Sequence, residues 1–198
     1  MTHELDRRRL LGITLGTLPS LIALATASRS IAEDGPKLPA LQPGGGHDFD
    51  FFLGSWRVHH RRLRKRLAGS DDWEEFEGTT RCQTLLDGLV NVNESIGHRS
   101  SGTTRGLGIR AFDAKTNTWA DWYLSGAAPT EIGPPGIGRF ENGVGTFLSD
   151  EEFEGRPVKV RGRFTSIHRD LAQWEQAFSP DAGKTWETNW VMRYSRQA

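Results

Sequence analysis

From residue 55 to residue 194 apolar and polar side chains alternate in short runs, and turn residues cut the runs apart. Alternation with a period of two is the mark of a strand with one buried face. The runs span residues 55–64, 74–85, 89–97, 103–112, 118–124, 137–141, 143–150, 157–165, 171–178 and 186–194. Between them stand Ala68-Gly69-Ser70-Asp71, Asp87-Gly88, Asp113-Ala114-Lys115-Thr116-Asn117 and Glu141-Asn142-Gly143. Asn142-Gly143 is the clearest hairpin signal, because a tight hairpin turn needs residues that tolerate positive φ. Helical periodicity is nearly absent, apart from a short helix expected over residues 48–53 with Asp48 as its N-cap. About ten antiparallel strands joined by hairpins make a meander, and a twisted meander loses both exposed edges by closing on itself. The pattern therefore predicts an all-β fold: one antiparallel up-and-down barrel over residues 47–198. An open sandwich is the alternative.

Ahead of the alternating region the pattern changes twice. Arg7, Arg8 and Arg9 precede an apolar stretch over residues 10–27, and small residues close it at Ala25-Thr26-Ala27 or Ser30-Ile31-Ala32. Basic, apolar and small-residue regions in that order form a secretory signal. The arginines directly before Leu10-Leu11-Gly12 resemble the twin-arginine class. Thr14, Gly16, Thr17, Pro19 and Ser20 interrupt the stretch, whereas a retained spanning helix needs about 20 predominantly apolar residues. Residues 1–32 are thus expected to be a signal helix, removed after Ala27 or Ala32. The mature protein would be periplasmic or secreted, with no membrane attachment. Residues 33–46 are rich in Pro and Gly and read as a flexible linker.

Charge narrows the partners. Lys and Arg number 25, as do Asp and Glu. The leader holds Arg7, Arg8, Arg9 and Arg29 against Glu4 and Asp6, so its removal leaves a net charge of −2. That excludes nucleic acid as the expected partner, since phosphate binding needs a basic excess. The charges are also ordered: residues 57–66 are basic and residues 71–77 acidic. As the two strands of a first hairpin they pair across the sheet. Cys82 is the single cysteine, which rules out an intrachain disulfide and suggests a buried thiol. His59 and His60 point to opposite faces of one strand, and His98 and His168 stand alone, so no metal site is expected. Nucleophile-elbow, zinc-protease, phosphate-loop and dinucleotide patterns are all missing, and no cofactor is implied.

Gly54-Ser55-Trp56 at the start of the first strand is a lipocalin-type signature. The Gly turns the chain into the barrel and the indole plugs its closed end. The likeness to that signature implies a cation from the last strand over the indole, and Arg193 in Trp190-Val191-Met192-Arg193 is the expected one. Residues 47–56, Leu86-Asp87-Gly88-Leu89-Val90-Asn91-Val92-Asn93-Glu94 and residues 174–192 form a wider set. Together they resemble a bacterial lipocalin-like family catalogued as domain of unknown function 1579. The resemblance covers essentially the whole mature domain and implies a calycin-type barrel. It implies no activity, because that family has no established reaction or catalytic residues. Ser179-Pro180-Asp181-Ala182-Gly183-Lys184-Thr185-Trp186 matches the Asp-box of sialidase-like propellers. A single copy in so short a chain reads as a tight hairpin rather than a glycosidase.

Alternation also assigns an interior. Val90, Val92, Glu94 and Ile96 share one face, and taking the apolar face as the inner one puts Glu94 inside. A buried carboxylate needs a partner or stays protonated. Arg110 is the candidate, on one face with Gly106, Gly108 and Phe112, the glycines leaving it room. Trp122 with Leu124, Trp174 with Phe178, and Trp186 with Trp190 supply aromatic surface. The expected ligand-binding set is Glu94, Arg110, Trp122, Trp174 and Trp190; the expected barrel-closing set is Gly54, Trp56 and Arg193. Such an interior suits a small apolar or amphipathic ligand. A calycin-type isomerase or cyclase using Glu94 and Arg110 as an acid–base pair is the alternative. Glu94 and Arg110 as a purely structural pair is another. Haem chemistry through His168 is a third reading.

Overall fold

A computed structural model describes residues 45–197. The expected signal helix and residues 33–44 of the expected linker lie outside the described residues. Ten strands follow in chain order: β1 (Gly54–Leu63), β2 (Trp73–Leu85), β3 (Val90–Arg99), β4 (Gly102–Asp113), β5 (Thr118–Ser125), β6 (Gly136–Glu141), β7 (Val144–Phe153), β8 (Arg156–Thr165), β9 (Leu171–Ser179) and β10 (Glu187–Arg196). Each pairs antiparallel with its chain neighbour, and β1 also pairs with β10, so the sheet closes into the expected up-and-down barrel. The β1–β10 seam is long, running from Trp56 opposite Arg196 to Arg62 opposite Trp190. The β5–β6 seam is short, with Trp119, Ala120 and Asp121 opposite Gly138, Ile137 and Gly136.

One end is plugged. Gly54 takes φ +95°, a conformation open to glycine, and turns the chain into β1. Phe49, Phe52, Trp56, Trp119, Phe147, Phe164 and Tyr194 then bury themselves together beneath the sheet. Phe49 meets Trp119, Phe140 and Phe164 edge to face at 4.9, 5.0 and 5.4 Å, the geometry that aromatic quadrupoles favour. The helix expected over residues 48–53 is a single 3-10 turn, Asp50–Phe52, preceded by Phe49 with no side-chain cap. Asp48 does not cap it: its Oδ2 accepts a hydrogen bond from Trp119 Nε1 at 3.2 Å instead. The chain is already buried at Gly45 and Gly46, and Gly45 O accepts from the same indole at 3.1 Å.

Trp56 closes the barrel as expected, but its cation is Arg196 and not Arg193. The Arg196 Cζ lies 4.1 Å from the indole centroid. Its Nη1 and Nη2 donate to Leu53 O at 2.6 Å and Phe51 O at 2.8 Å, fastening the 3-10 turn to the floor. Arg193 stands on the outer face beside Gln173. The reason is parity: Trp190, Met192, Tyr194 and Arg196 alternate inward, so residue 193 cannot.

Parity also reverses the expected faces of β3 and β5. Arg99 lies opposite Gly102 across a tight turn, so Arg110 lies opposite Asn91 and Glu94 opposite Leu107. Cross-strand partners share a face. With Arg110 inside, Asn91, Asn93 and Ser95 are inside too, and Val90, Val92, Glu94 and Ile96 are outside. Asp121 lies opposite Arg110 and points in, which sends Trp122 and Leu124 out beside Ile109 and Leu107.

Two turns match their sequence reading. In the Asp-box hairpin, Asp181 accepts from Thr185 N at 2.9 Å and from Thr185 Oγ1 at 2.6 Å. Gly183 takes φ +93°, and Trp186 Nε1 donates to Gly183 O at 3.0 Å. These bonds hold the Asp181 carboxyl down at about 2. In the first hairpin the outer charges do pair: His59 with Glu77 at 2.7 Å, Arg61 with Glu75 at 3.6 Å and Arg64 with Asp72 at 3.5 Å.

Candidate functional site

Above the plug the barrel is hollow, with a cavity of about 480 Å³. Its floor is Arg110. The guanidinium carbon lies 5.0, 5.3 and 5.4 Å from the ring centroids of Phe49, Phe52 and Phe164. Its Nη1 donates to Asn91 Oδ1 at 3.0 Å and Asn93 Oδ1 at 2.7 Å. Its Nε lies 3.3 Å from Asp121 Oδ1, an ion pair not aligned as a hydrogen bond, so that buried N–H has no hydrogen-bonding partner. Gly108 makes the arrangement possible, because a Cβ there would stand 3.0 Å from Arg110 Nη2 and press on the Asn93 amide. Burial pushes the Asp121 carboxyl above the ordinary carboxylate range, and Arg110 draws it back down. One buried cation and one half-buried carboxylate thus face the same space, the arrangement in which low dielectric magnifies contacts with a ligand.

The walls differ in character. On β2 and β3, Thr80 and Ser95 share a hydroxyl contact at 2.5 Å, and Asn93 Nδ2 donates to Ser95 Oγ at 3.0 Å. This makes a polar ladder rising from Arg110. On the other side of β1, Trp174 and Trp190 of β9 and β10 meet edge to face at 5.9 Å, with Gly162, Val160 and Met192 around them. Between the two walls His60 of β1 stacks on Phe76 at 4.4 Å with the rings 8° apart. Trp190 Nε1 donates to His60 Nδ1 at 3.3 Å. An indole N–H can only donate, so Nδ1 accepts and the ring proton of the neutral imidazole is on Nε2. Burial, helped by the nearby His59 and Arg62 side chains, pushes the His60 pKa down to about 4.

The expected ligand set divides accordingly. Arg110, Trp174 and Trp190 line the cavity. Trp122 touches its margin but belongs to the outward set. Glu94 is outside altogether, exposed and paired with Arg105 at 3.0 Å, so the Glu94–Arg110 pair is not formed, whether for acid–base chemistry or as a structural contact. The interior carboxylate is Asp121, reached by the register argument above. His60, Asn91, Asn93 and Tyr194 are further cavity or floor residues that apolarity alone does not pick out. His168 is exposed in the β8–β9 turn at the closed end, which removes the ligand on which a haem reading depended. Cys82 is buried, with Asn91 Nδ2 donating to its sulfur at 3.0 Å and burial pushing its thiol up. Among the described residues no three His, Cys, Asp or Glu side chains converge on a point.

No protein-family model and no curated protein matches the chain. Solved structures do. The S-type phycobiliprotein lyase CPES from Guillardia theta aligns with a TM-score of 0.55 at 13% identity, over 78% of this chain and 93% of that one. A redesigned β-barrel aligns with a TM-score of 0.43 at 14% identity over 77% and 96%. A de novo fluorescence-activating β-barrel gives 0.41 at 14% over 75% and 95%. The likeness to the lyase supports the lipocalin-like barrel architecture.

Proposed function

We propose that this chain is an exported binding protein that holds a small amphipathic molecule inside its barrel. The observation that carries the reading is the hollow with two unlike walls, aromatic on β9 and β10 and hydrogen-bonding on β2 and β3, above a buried arginine. Its volume lies within the range of roughly 300–1,000 Å³ usual for small-molecule sites. A barrel that only needed a core would have filled this space, since interiors pack to crystal density. The ligand class that fits has one flat apolar face to lie on Trp174 and Trp190, and one polar edge to meet Asn93 and Ser95. The twin-arginine-type leader supports a periplasmic or secreted site of action. Residues 47–56, 86–94 and 174–192 support membership of the lipocalin-like family catalogued as domain of unknown function 1579.

Native mass spectrometry on the purified full-length and leader-cleaved protein tests the first claim. The expected spectrum contains a non-covalent adduct of small-molecule mass, lost on mild activation and absent from a Trp174→Ala/Trp190→Ala variant. A wild-type protein without adduct, whose tryptophan fluorescence also ignores added aromatic probes, would sink the reading. Export is tested by fractionation: replacing Arg7, Arg8 and Arg9 with Lys should leave precursor in the cytoplasm.

A further inference from the structure

The rim of the open end carries cations that the pairing of the first hairpin does not use. On β1 the alternation places Arg62 on the inner face, above His60. Its guanidinium carbon stacks 4.7 Å from the ring centroid of Trp190, the same indole that walls the cavity. Arg66, in the β1–β2 loop, reaches back over Phe178 at 5.4 Å and Phe153 at 5.8 Å. Arg99 at the end of β3 lies 5.6 Å from Phe76, the ring on which His60 stacks. Three half-buried arginines from separate segments thus rest on aromatic rings around one opening.

Their counter-charges fall short. Glu74 is buried at the rim, but both of its oxygens are taken by Arg99. Glu187 accepts from the Leu67 N–H at 2.7 Å, and with Glu154 it faces Arg66 from further off. Glu151 and Glu152 occupy the opposite margin, exposed to solvent. Among the described residues neither Arg62 nor Arg66 lies within ion-pair distance of a carboxylate. Burial and the neighbouring guanidinium groups push both side chains below the ordinary arginine range, Arg66 to about 10, as expected of like charges held together.

We infer that the mouth selects an acidic ligand: an amphipathic molecule whose carboxylate or similar anionic group stays at the rim on Arg62 and Arg66 while its apolar body lies on Trp190 and Trp174. Trp190 makes the two parts continuous, since it is the platform of one cation and a wall of the cavity. Guanidinium recognises planar acids by paired N–H donors. At the floor, by contrast, Arg110 is already balanced by Asp121, so the acidic group has its stronger attraction at the top. This inference rests on the reading of the barrel as a binding module and adds the ligand's charge and orientation.

Two probes of like aromatic body separate the possibilities: anilinonaphthalene sulfonate, which is anionic, and phenylnaphthylamine, which is neutral. Each is titrated into the folded protein by fluorescence. At low ionic strength the sulfonate should bind about tenfold tighter, and in about 1 M salt, where screening acts within roughly 3 Å, that preference should shrink severalfold. Arg62→Gln/Arg66→Gln should weaken the sulfonate about tenfold and leave the neutral probe within about twofold. The neutral probe also reports that the variant still has its cavity, and Arg66→Gln alone provides a milder substitution with the same expected direction. Equal affinities in the wild type, or equal loss of both probes in Arg66→Gln, would overturn the inference while leaving the binding module standing. If neither probe binds the wild type, the binding module falls as well.

Discussion

On a single strand the barrel changes from solid to hollow within four residues: Trp56 of β1 is wholly buried among rings, and His60 of the same face borders open space. The sheet, the alternation and the twist are shared by both ends. What differs is the side chains. At the closed end large aromatics cross-pack edge to face, and the few polar atoms among them are matched by Arg196, Asp48 and the Gly45 carbonyl. Toward the mouth, smaller residues (Asn93, Ser95, Gly97, Gly108, Gly162) line the interior with two indoles and leave the middle of the barrel unfilled. The closed end therefore concentrates stability and the open end leaves room for a ligand.

The sharpest way to break that contrast is Trp56→Ala. Removing a fully buried indole should cost about 4 kcal/mol in denaturant unfolding, and a loss under about 1 kcal/mol would mean that the plug is dispensable. Arg110→Met comes next. It leaves Asp121 without its cation and Asn91 and Asn93 without their donor, and breaking a buried pair from one side costs about 3 kcal/mol. Arg110→Met/Asp121→Asn should recover part of it.

Acid probes the boundary between the two regions. The folded pKa of His60 is lowered to about 4, so folding favours the neutral ring. Its contribution is present above the ordinary histidine pKa and is lost as pH falls from about 6.5 to about 4, by at most about 3 kcal/mol. Melting curves at pH 7 and pH 4.5 should show the drop in wild type and a flatter response in His60→Gln. Arg196→Ala should cost about 2 kcal/mol, for a cation–π contact and two bonds to carbonyls, against less than about 0.5 kcal/mol for Arg193→Ala. Last, Glu94→Gln should change stability by under about 0.5 kcal/mol, as exposed pairs do, and leave probe binding untouched.

These residues also show how far the sequence could be read. The strands, the Asn142-Gly143 turn, the Asp-box hairpin, the plugging Trp56 and the crossing charges of the first hairpin are local patterns, and local patterns are legible. The choice of inner face on β3 was not, because apolarity is a guide only where the interior is dry. Here Asn93 and Ser95 face a cavity, Asn91 holds the arginine beneath it, and Val92, Ile109 and Trp122 form an apolar row outside. Register would have corrected it: with Arg110 placed inside, the turn between Arg99 and Gly102 puts Glu94 opposite Leu107 and therefore outside. Placing Trp190 inside likewise favours residue 196 over residue 193, but Arg196 lay beyond the strand end that the pattern suggested. The cavity depends on which side chains fail to meet across the barrel, and no single stretch of chain records that.

The seam between β1 and β10 has a consequence for how the molecule comes into being. Its partners, Trp56 and Arg196, stand at opposite ends of the domain's sequence, so the ring cannot shut until the final strand has been made. That strand brings Trp190, Met192, Tyr194 and Arg196 together: one wall of the hollow and the clasp on its floor. Nine strands alone would be an open ribbon with two unpaired edges and an indole without its cover. All-β domains that depend on such a distant pairing fold in milliseconds to seconds. During synthesis the chain must wait, sticky and unfinished, for the ten residues of β10, and container and binding surface then arrive in the same step.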